Sequence, residues 1–178
     1  MILDIDVVVD EDGAVMDRFE TASLVLMPGR RVRAEVISHH PWGLIARIAG
    51  HEQVGASVDM IEQFGRTTAG DAELRSLFPP VGAEFDAVVE LVRRWSPPAW
   101  VRLSVRPADL ESFSRMCDFC GQRTVLSEGG DGLVLDVRSN DGPGSHTVLV
   151  HRTCLADRIE PQNTGERARA LTIGRRVS

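Results

Sequence analysis

Apolar and polar positions in this chain alternate in short runs, and the period is two far more often than the helical 3.6. Residues 2–9 (ILDIDVVV) are rich in β-formers and partly alternate, and the Glu-Asp-Gly at 11–13 reads as a turn, which predicts a first strand. Residues 14–27 carry no pattern that assigns them. After Pro28-Gly29, residues 31–38 (RVRAEVIS) set Val32, Ala34 and Val36 on one face and arginines and Glu35 on the other, as a half-buried strand does. His39-His40-Pro41 cannot continue a helix, and residues 42–48 (WGLIARI) predict the returning strand of a hairpin. Residues 53–58 suit a short third strand, and the polar stretch 65–76 a loop with room for a short helix. Alternation returns over 83–95 (AEFDAVVELVRRW), with Phe85, Ala87, Val89 and Leu91 in phase, and over 100–105 (WVRLSV), across the turn Ser96-Pro97-Pro98. Five short strands therefore fill residues 31–105, the strand count of a small Greek-key barrel of the OB type, in which closing the sheet removes exposed edges. The fold class expected is mainly β: a five-stranded OB-type barrel followed by a small α+β module.

Residues 29–109 resemble a known family. The segment GRRVRAEVISHHPWGLIARI, then VGASVD, PVGAEFDAVVELV and VRLSVRP, is similar to the RNA-binding OB repeat of the largest small-subunit ribosomal protein, the S-one domain. The resemblance implies that single-stranded RNA lies across strands two and three, stacked on two aromatics of strand two and helped by a histidine in strand three and a basic residue on strand five. Trp42 matches the first aromatic and Arg102 the strand-five cation, while Ile45 stands at the second aromatic position and Val58 and Asp59 near the histidine. With Arg33 and Arg47, these residues make a candidate nucleic-acid face of Trp42, Arg33, Arg47 and Arg102.

Charge complicates that expectation. The chain carries a formal net charge of −6, and residues 1–110 hold the whole excess, with 17 acidic side chains against 11 arginines. Affinity for nucleic acid comes largely from cations that displace phosphate counterions, so an acidic barrel starts at a disadvantage. All 20 basic residues are arginine, which excludes Schiff-base chemistry and the lysine of a phosphate loop. No apolar run approaches the roughly 18 residues of a membrane span, and the acidic start differs from a secretory signal, so a cytoplasmic, membrane-free protein is expected.

The three cysteines all fall between Cys117 and Cys154, an odd number unsuited to a disulfide framework. Cys117-x2-Cys120-Gly121 has the spacing of a zinc knuckle, since two intervening residues let both sulfurs reach one tetrahedral ion. A second pair, His151-x2-Cys154, follows two strand-like runs at 132–137 (GLVLDV) and 147–150 (TVLV) and opens a helix-like run over 155–159. Knuckle, hairpin and a helix whose first turn supplies the last two ligands is the treble-clef arrangement. The stretch CDFCGQ is also similar to the start of the zinc-binding domain of Clp-type unfoldases, with His151 standing where that family has a cysteine. The expected cofactor is thus one structural zinc ion on Cys117, Cys120, His151 and Cys154, with His146 the competitor for the fourth place. Four protein ligands leave no open position for water, so folding rather than catalysis is the expected role.

Other motifs carry less. His39, His40 and His51 read as solvated turn residues. Residues 142–146 (GPGSH) lie in a predicted hairpin loop and not at the strand-to-helix turn of a nucleophile elbow, and Gly129-Gly130-Asp131-Gly132 lacks the helix of a phosphate cradle. No nucleophile or open metal site can be named, so an enzyme is not expected. The domains expected are 1–28, an N-terminal strand and unassigned segment; 29–109, the barrel; 113–162, the zinc module; and 163–178, a basic, frayed tail. The function expected is single-stranded RNA binding; the alternative is a protein-interaction adaptor or inhibitor whose acidic barrel no longer binds nucleic acid.

Overall fold

The computed structural model describes residues 19, 21–64, 78–93, 100–138, 140 and 145–159. The expected strand at 2–9, the loop at 65–76 and the tail at 163–178 lie outside the described residues. The chain divides into two units, Met1–Glu111 and Ser112–Ser178.

In the first unit, β1 (Arg31–His40), β2 (Gly43–Ile48), β3 (Gly55–Asp59), β4 (Glu84–Arg93) and β5 (Trp100–Ser104) close into a barrel in the order β1-β2-β3-β5-β4. Only the β3–β5 pairing is parallel; the other four are antiparallel. The alternation read from the sequence is the in-and-out pattern of this OB-like barrel up to the bulge in β4, beyond which Val92 and not Leu91 enters the core. Ala34 and Val36, Leu44 and Ala46 and Ile48, Ala56 and Val58, Phe85 and Ala87 and Val89, and Val101 and Leu103 all point into one core. Each fully buried Val, Leu or Ile side chain contributes about 1.5–3 kcal/mol relative to exposure. Register slips at Val36/Ser38 and at Val89/Leu91 mark bulges, which let two long strands bend around the barrel.

Several boundaries differ from expectation. The second strand begins at Gly43, so Trp42 belongs to the tight turn before it. The third begins at Gly55, because residues 51–54 turn first: His51 N–H donates to Ile48 O at 3.0 Å and Val54 N–H to His51 O at 2.9 Å. Within the segment that the pattern left unassigned, residues 21–23 are helical and Phe19, Ala22 and Leu26 enter the barrel core.

Two short helices also lay beyond the sequence reading, α1 (Met60–Phe64) and α2 (Pro107–Glu111). A buried polar seam ties them to the end of β5. Ser104 Oγ donates to Asp109 Oδ2 at 2.7 Å and lies 3.1 Å from Gln63 Oε1, which also accepts from Val105 N–H at 2.8 Å. Arg106 caps the arrangement with its Nε 2.8 Å from Asp109 Oδ2. Pro107 sits at the first helical position, where its missing N–H costs nothing.

Among the described residues, the second unit holds two small hairpins and a helix. β6 (Ser114–Met116) pairs with β7 (Arg123–Val125), β8 (Gly132–Arg138) with β9 (Ser145–His151), and α3 (Arg152–Ala156) follows β9 directly. Its fully buried side chains include Phe113, Thr124 and Val150. Among the described residues of this unit the fully buried side chains are few, the situation in which small modules rely on a staple. No helix among the described residues is long and apolar enough to cross a membrane.

Candidate metal centre

The turn between β6 and β7 carries the first sulfur pair. Cys117 N–H donates to Gln122 O and Gly121 N–H to Cys117 O, both at 2.8 Å, which folds residues 117–122 into a tight knuckle. Asp118 fastens this knuckle to β9: its N–H donates to Leu149 O at 2.8 Å, and its Oδ2 accepts from Leu149 N–H at 2.6 Å. Leu149 lies two residues before His151, so the same bonds bring the knuckle to the strand end that carries the second pair.

His151 ends β9 and caps α3 in extended conformation, with φ −66° and ψ 144°. The helix spans Arg152–Ala156 rather than 155–159, so Cys154 lies inside it, one turn from the cap. The Sγ atoms of Cys117, Cys120 and Cys154 and a ring nitrogen of His151 all fall within 4.8 Å of one another. A tetrahedron with bonds of about 2.3 Å has edges of roughly 3.8 Å, so the four atoms fit around one ion. Three thiolates and an imidazole are donors that suit zinc.

Hydrogen bonds select the ligand atom. His151 Nε2 lies 2.8 Å from Arg123 O, an acceptor, so Nε2 carries a proton. Nδ1 is left toward the sulfurs, 3.3 Å from Cys120 Sγ and 3.6 Å from Cys154 Sγ. Cys117, buried at 2 % exposure, accepts the backbone N–H of His151 at 3.4 Å. His146 stands five residues up the strand, paired with Val137 and exposed, about 17 Å away at the rise of a strand, and does not join the cluster.

Electrostatics in the metal-free cluster split the ligands. Burial raises the Cys117 thiol, but the backbone N–H groups of His151, Cys120 and Phe119 outweigh it and bring the group down to about 6. His151 is pushed up to about 9, chiefly by its bond to Arg123 O, against burial and helped by the neighbouring sulfurs. Burial and the adjacent sulfurs raise Cys154 to about 11.

The residues proposed for RNA are differently placed. Arg33 Nη1 lies 2.9 Å from Asp86 Oδ1 and its Nε 3.3 Å from Glu84 Oε2, bonds that hold its guanidinium above the ordinary value, Asp86 first. Arg47 Nη1 is 3.5 Å from Glu35 Oε2, and Arg102 Nε is 3.2 Å from Glu90 Oε2, whose side chain is only 7 % exposed. Trp42 is 44 % exposed and stacks on His40, with centroids 5.0 Å apart and planes 12° from parallel. Ile45, at the second aromatic position, stands opposite Ser57 of β3.

One residue on this face escaped the sequence reading. Trp100 of β5 lies across β3: its ring occupies the space that a Cβ at Gly55 would need, and its Nε1–H donates to Ser57 Oγ at 2.7 Å. The Gly at 55 was the available signal, since a glycine inside a strand often marks close approach of another group.

No protein-family model matches this chain, and neither does any curated protein sequence.

Proposed function

We propose that this chain is a binding protein and not an enzyme, in which zinc on Cys117, Cys120, His151 and Cys154 folds the C-terminal unit while the barrel meets a protein partner. The observation that carries the choice of partner is the pairing of each candidate RNA-binding arginine with a carboxylate: Arg33 with Asp86 and Glu84, Arg47 with Glu35, Arg102 with Glu90. An arginine held this way offers phosphate little net charge, and each displaced carboxylate would stand beside the incoming anion. Trp100 also lies over β3, where the S-one resemblance places RNA.

A protein partner suits the end of the barrel near the β1–β2 turn. Met60 N–H donates to Trp42 O at 2.9 Å, which brings the exposed Trp42 and the 59 % exposed Ile61 to the same end, beside His40 and Asp59. A solvent-facing tryptophan and isoleucine among polar neighbours have the composition of an interface centre with a polar rim. Single-stranded RNA is the second reading, favoured by the S-one resemblance and by the Trp42–His40 stack.

Titration with short single-stranded RNA at low and moderate salt, read by tryptophan fluorescence, separates the two. No saturable quenching at micromolar RNA is expected; salt-sensitive binding abolished by Trp42→Ala would establish the RNA reading instead. Affinity capture from the source cells should then retain a defined protein on the wild type and lose it with Trp42→Ala and Ile61→Glu. A capture pattern identical in all three would contradict the docking site.

Two outcomes follow for the metal. His151→Ala should lower bound zinc well below one per chain, whereas His146→Ala should leave it at one, as measured by elemental analysis of the gel-filtered protein. The apparent affinity for zinc should also rise with pH. In the metal-free state His151 keeps its second ring proton, the one on Nδ1, up to about 9 and Cys154 keeps its thiol proton up to about 11, so zinc must displace both at neutral pH. Below about 6 the Cys117 thiolate is protonated as well and affinity falls further. Competition with a chromophoric chelator between pH 6 and pH 9 reads this slope.

A further inference from the structure

The turn Gly129-Gly130-Asp131-Gly132, which as a sequence reads only as a link into β8, bonds the segments on either side of the metal centre's histidine. The Oδ1 atom of Asp131 accepts the backbone N–H of Val125 at 3.0 Å and the hydroxyl of Thr124 at 3.2 Å. These are the residues that follow Arg123, whose carbonyl accepts the hydrogen bond from His151 Nε2–H. The Asp131 carbonyl accepts the backbone N–H of Arg152, the residue after His151, at 2.9 Å. Its second carboxylate oxygen, Oδ2, stands 3.7 Å from His151 Nε2 itself.

The flanking glycines make this reach possible. A Cβ at Gly130 would run into the carbonyl of Val125, and one at Gly132 would come within 2.7 Å of that same oxygen and 2.9 Å of Thr124 Oγ1. The turn lies directly on β7, and only residues without side chains fit on either side of Asp131.

We propose that Asp131 is the positioning residue of the metal centre: it locks β7 and the start of α3 around His151, and its carboxylate favours the ring form with the proton on Nε2 and the lone pair on Nδ1. The inference rests on the zinc reading above. A histidine ligand normally gives its second N–H to a carboxylate or carbonyl that fixes its tautomer and orientation. Here the carbonyl of Arg123 accepts the hydrogen bond from Nε2–H, and Asp131 holds that carbonyl's strand in place while adding a negative charge beside the N–H.

The test uses the full chain loaded with zinc, then with cobalt. Asp131→Asn keeps the shape and an acceptor for Val125 and Thr124 but removes the charge, while Asp131→Ala removes both. Zinc affinity, from competition with a chromophoric chelator at fixed pH, is expected to fall by about 10–100-fold in Asp131→Ala and by a smaller factor in Asp131→Asn. In the same variants the visible bands of the cobalt-loaded site should weaken or shift, and the ring nitrogen shifts of His151 should lose the single Nδ1-bound pattern, changes that a loss of global stability alone would not produce. If Asp131→Ala does not fold, Asp131→Asn decides. Affinity within twofold of wild type in Asp131→Asn and Asp131→Ala, with unchanged cobalt bands, would overturn the proposal while leaving the zinc site intact. A wild-type chain that binds no zinc would overturn both.

Discussion

Replacing Cys117 with serine is expected to abolish zinc retention and unfold the C-terminal unit while the barrel stays folded. Cys117 is the most buried of the three thiols, and its sulfur accepts the backbone N–H of His151, so it joins the knuckle to the strand end. Serine keeps a hydroxyl but loses the soft, anionic donor that a sulfur-rich site needs. Binding of zinc to small modules of this kind is worth about 10–16 kcal/mol at neutral pH, more than a core centred on Phe113, Thr124 and Val150 can replace. Hydrogen exchange followed by mass spectrometry should show peptides from residues 113–159 losing their protection in Cys117→Ser and in chelator-treated wild type. Peptides from 31–60 and 84–104 should be unchanged. Persistent protection of the β8–β9 amides without metal would mean that the hairpins fold unaided.

The second large effect is expected at Gly43→Ala. Gly43 opens β2 with φ +149°, a region that L-residues with a side chain rarely occupy, and a Cβ there would strike the backbone carbonyl of Val58 on β3. Backbone strain and overpacking each cost about 1–3 kcal/mol, and neither can be relieved by rotating a side chain, because the obstacle is main chain. A loss of roughly 3 kcal/mol or more should lower the melting temperature by on the order of 15 °C for a unit of this size. Differential scanning calorimetry reads the change, with Gly50→Ala as a control: Gly50 also has positive φ, at +77°, but a Cβ there meets nothing within 4 Å. Equal shifts in the two variants would show that strain alone acts and that the close approach to Val58 is relieved.

How much of this was legible beforehand varied with the range of the interaction. The barrel strands were readable because alternation is written within each strand: the in-phase Phe85, Ala87 and Val89 are the residues that face the core. The metal cluster was readable because two x2 pairs encode their own geometry. Boundaries failed where a tight turn used residues of strand-like composition, as at Trp42 and at residues 51–54. The helices over 60–64 and 107–111 are single turns of five residues, too short to show a period of 3.6. The three-residue strands β6 and β7 show no period of two for the same reason.

The arginine partners were the least legible part. Arg33 meets Glu84 and Asp86 some fifty positions along the chain, through the β1–β4 register. Nothing near Arg33 in sequence announces that pairing, so a face that looks basic along β1 and β2 becomes a ladder of mixed charge once the barrel closes. The resemblance to an RNA-binding repeat rests on the strand pattern, which carries the fold, and the cross-strand charge pairs lie outside that pattern.

X-ray absorption at the zinc edge, on protein purified without added metal and with its metal content measured in parallel, tests the metal centre most directly. One zinc per chain is expected, with three sulfurs at about 2.3 Å and one nitrogen at about 2.0–2.1 Å. A metal-free protein, or a shell of oxygen and nitrogen with fewer than three sulfurs, would contradict it.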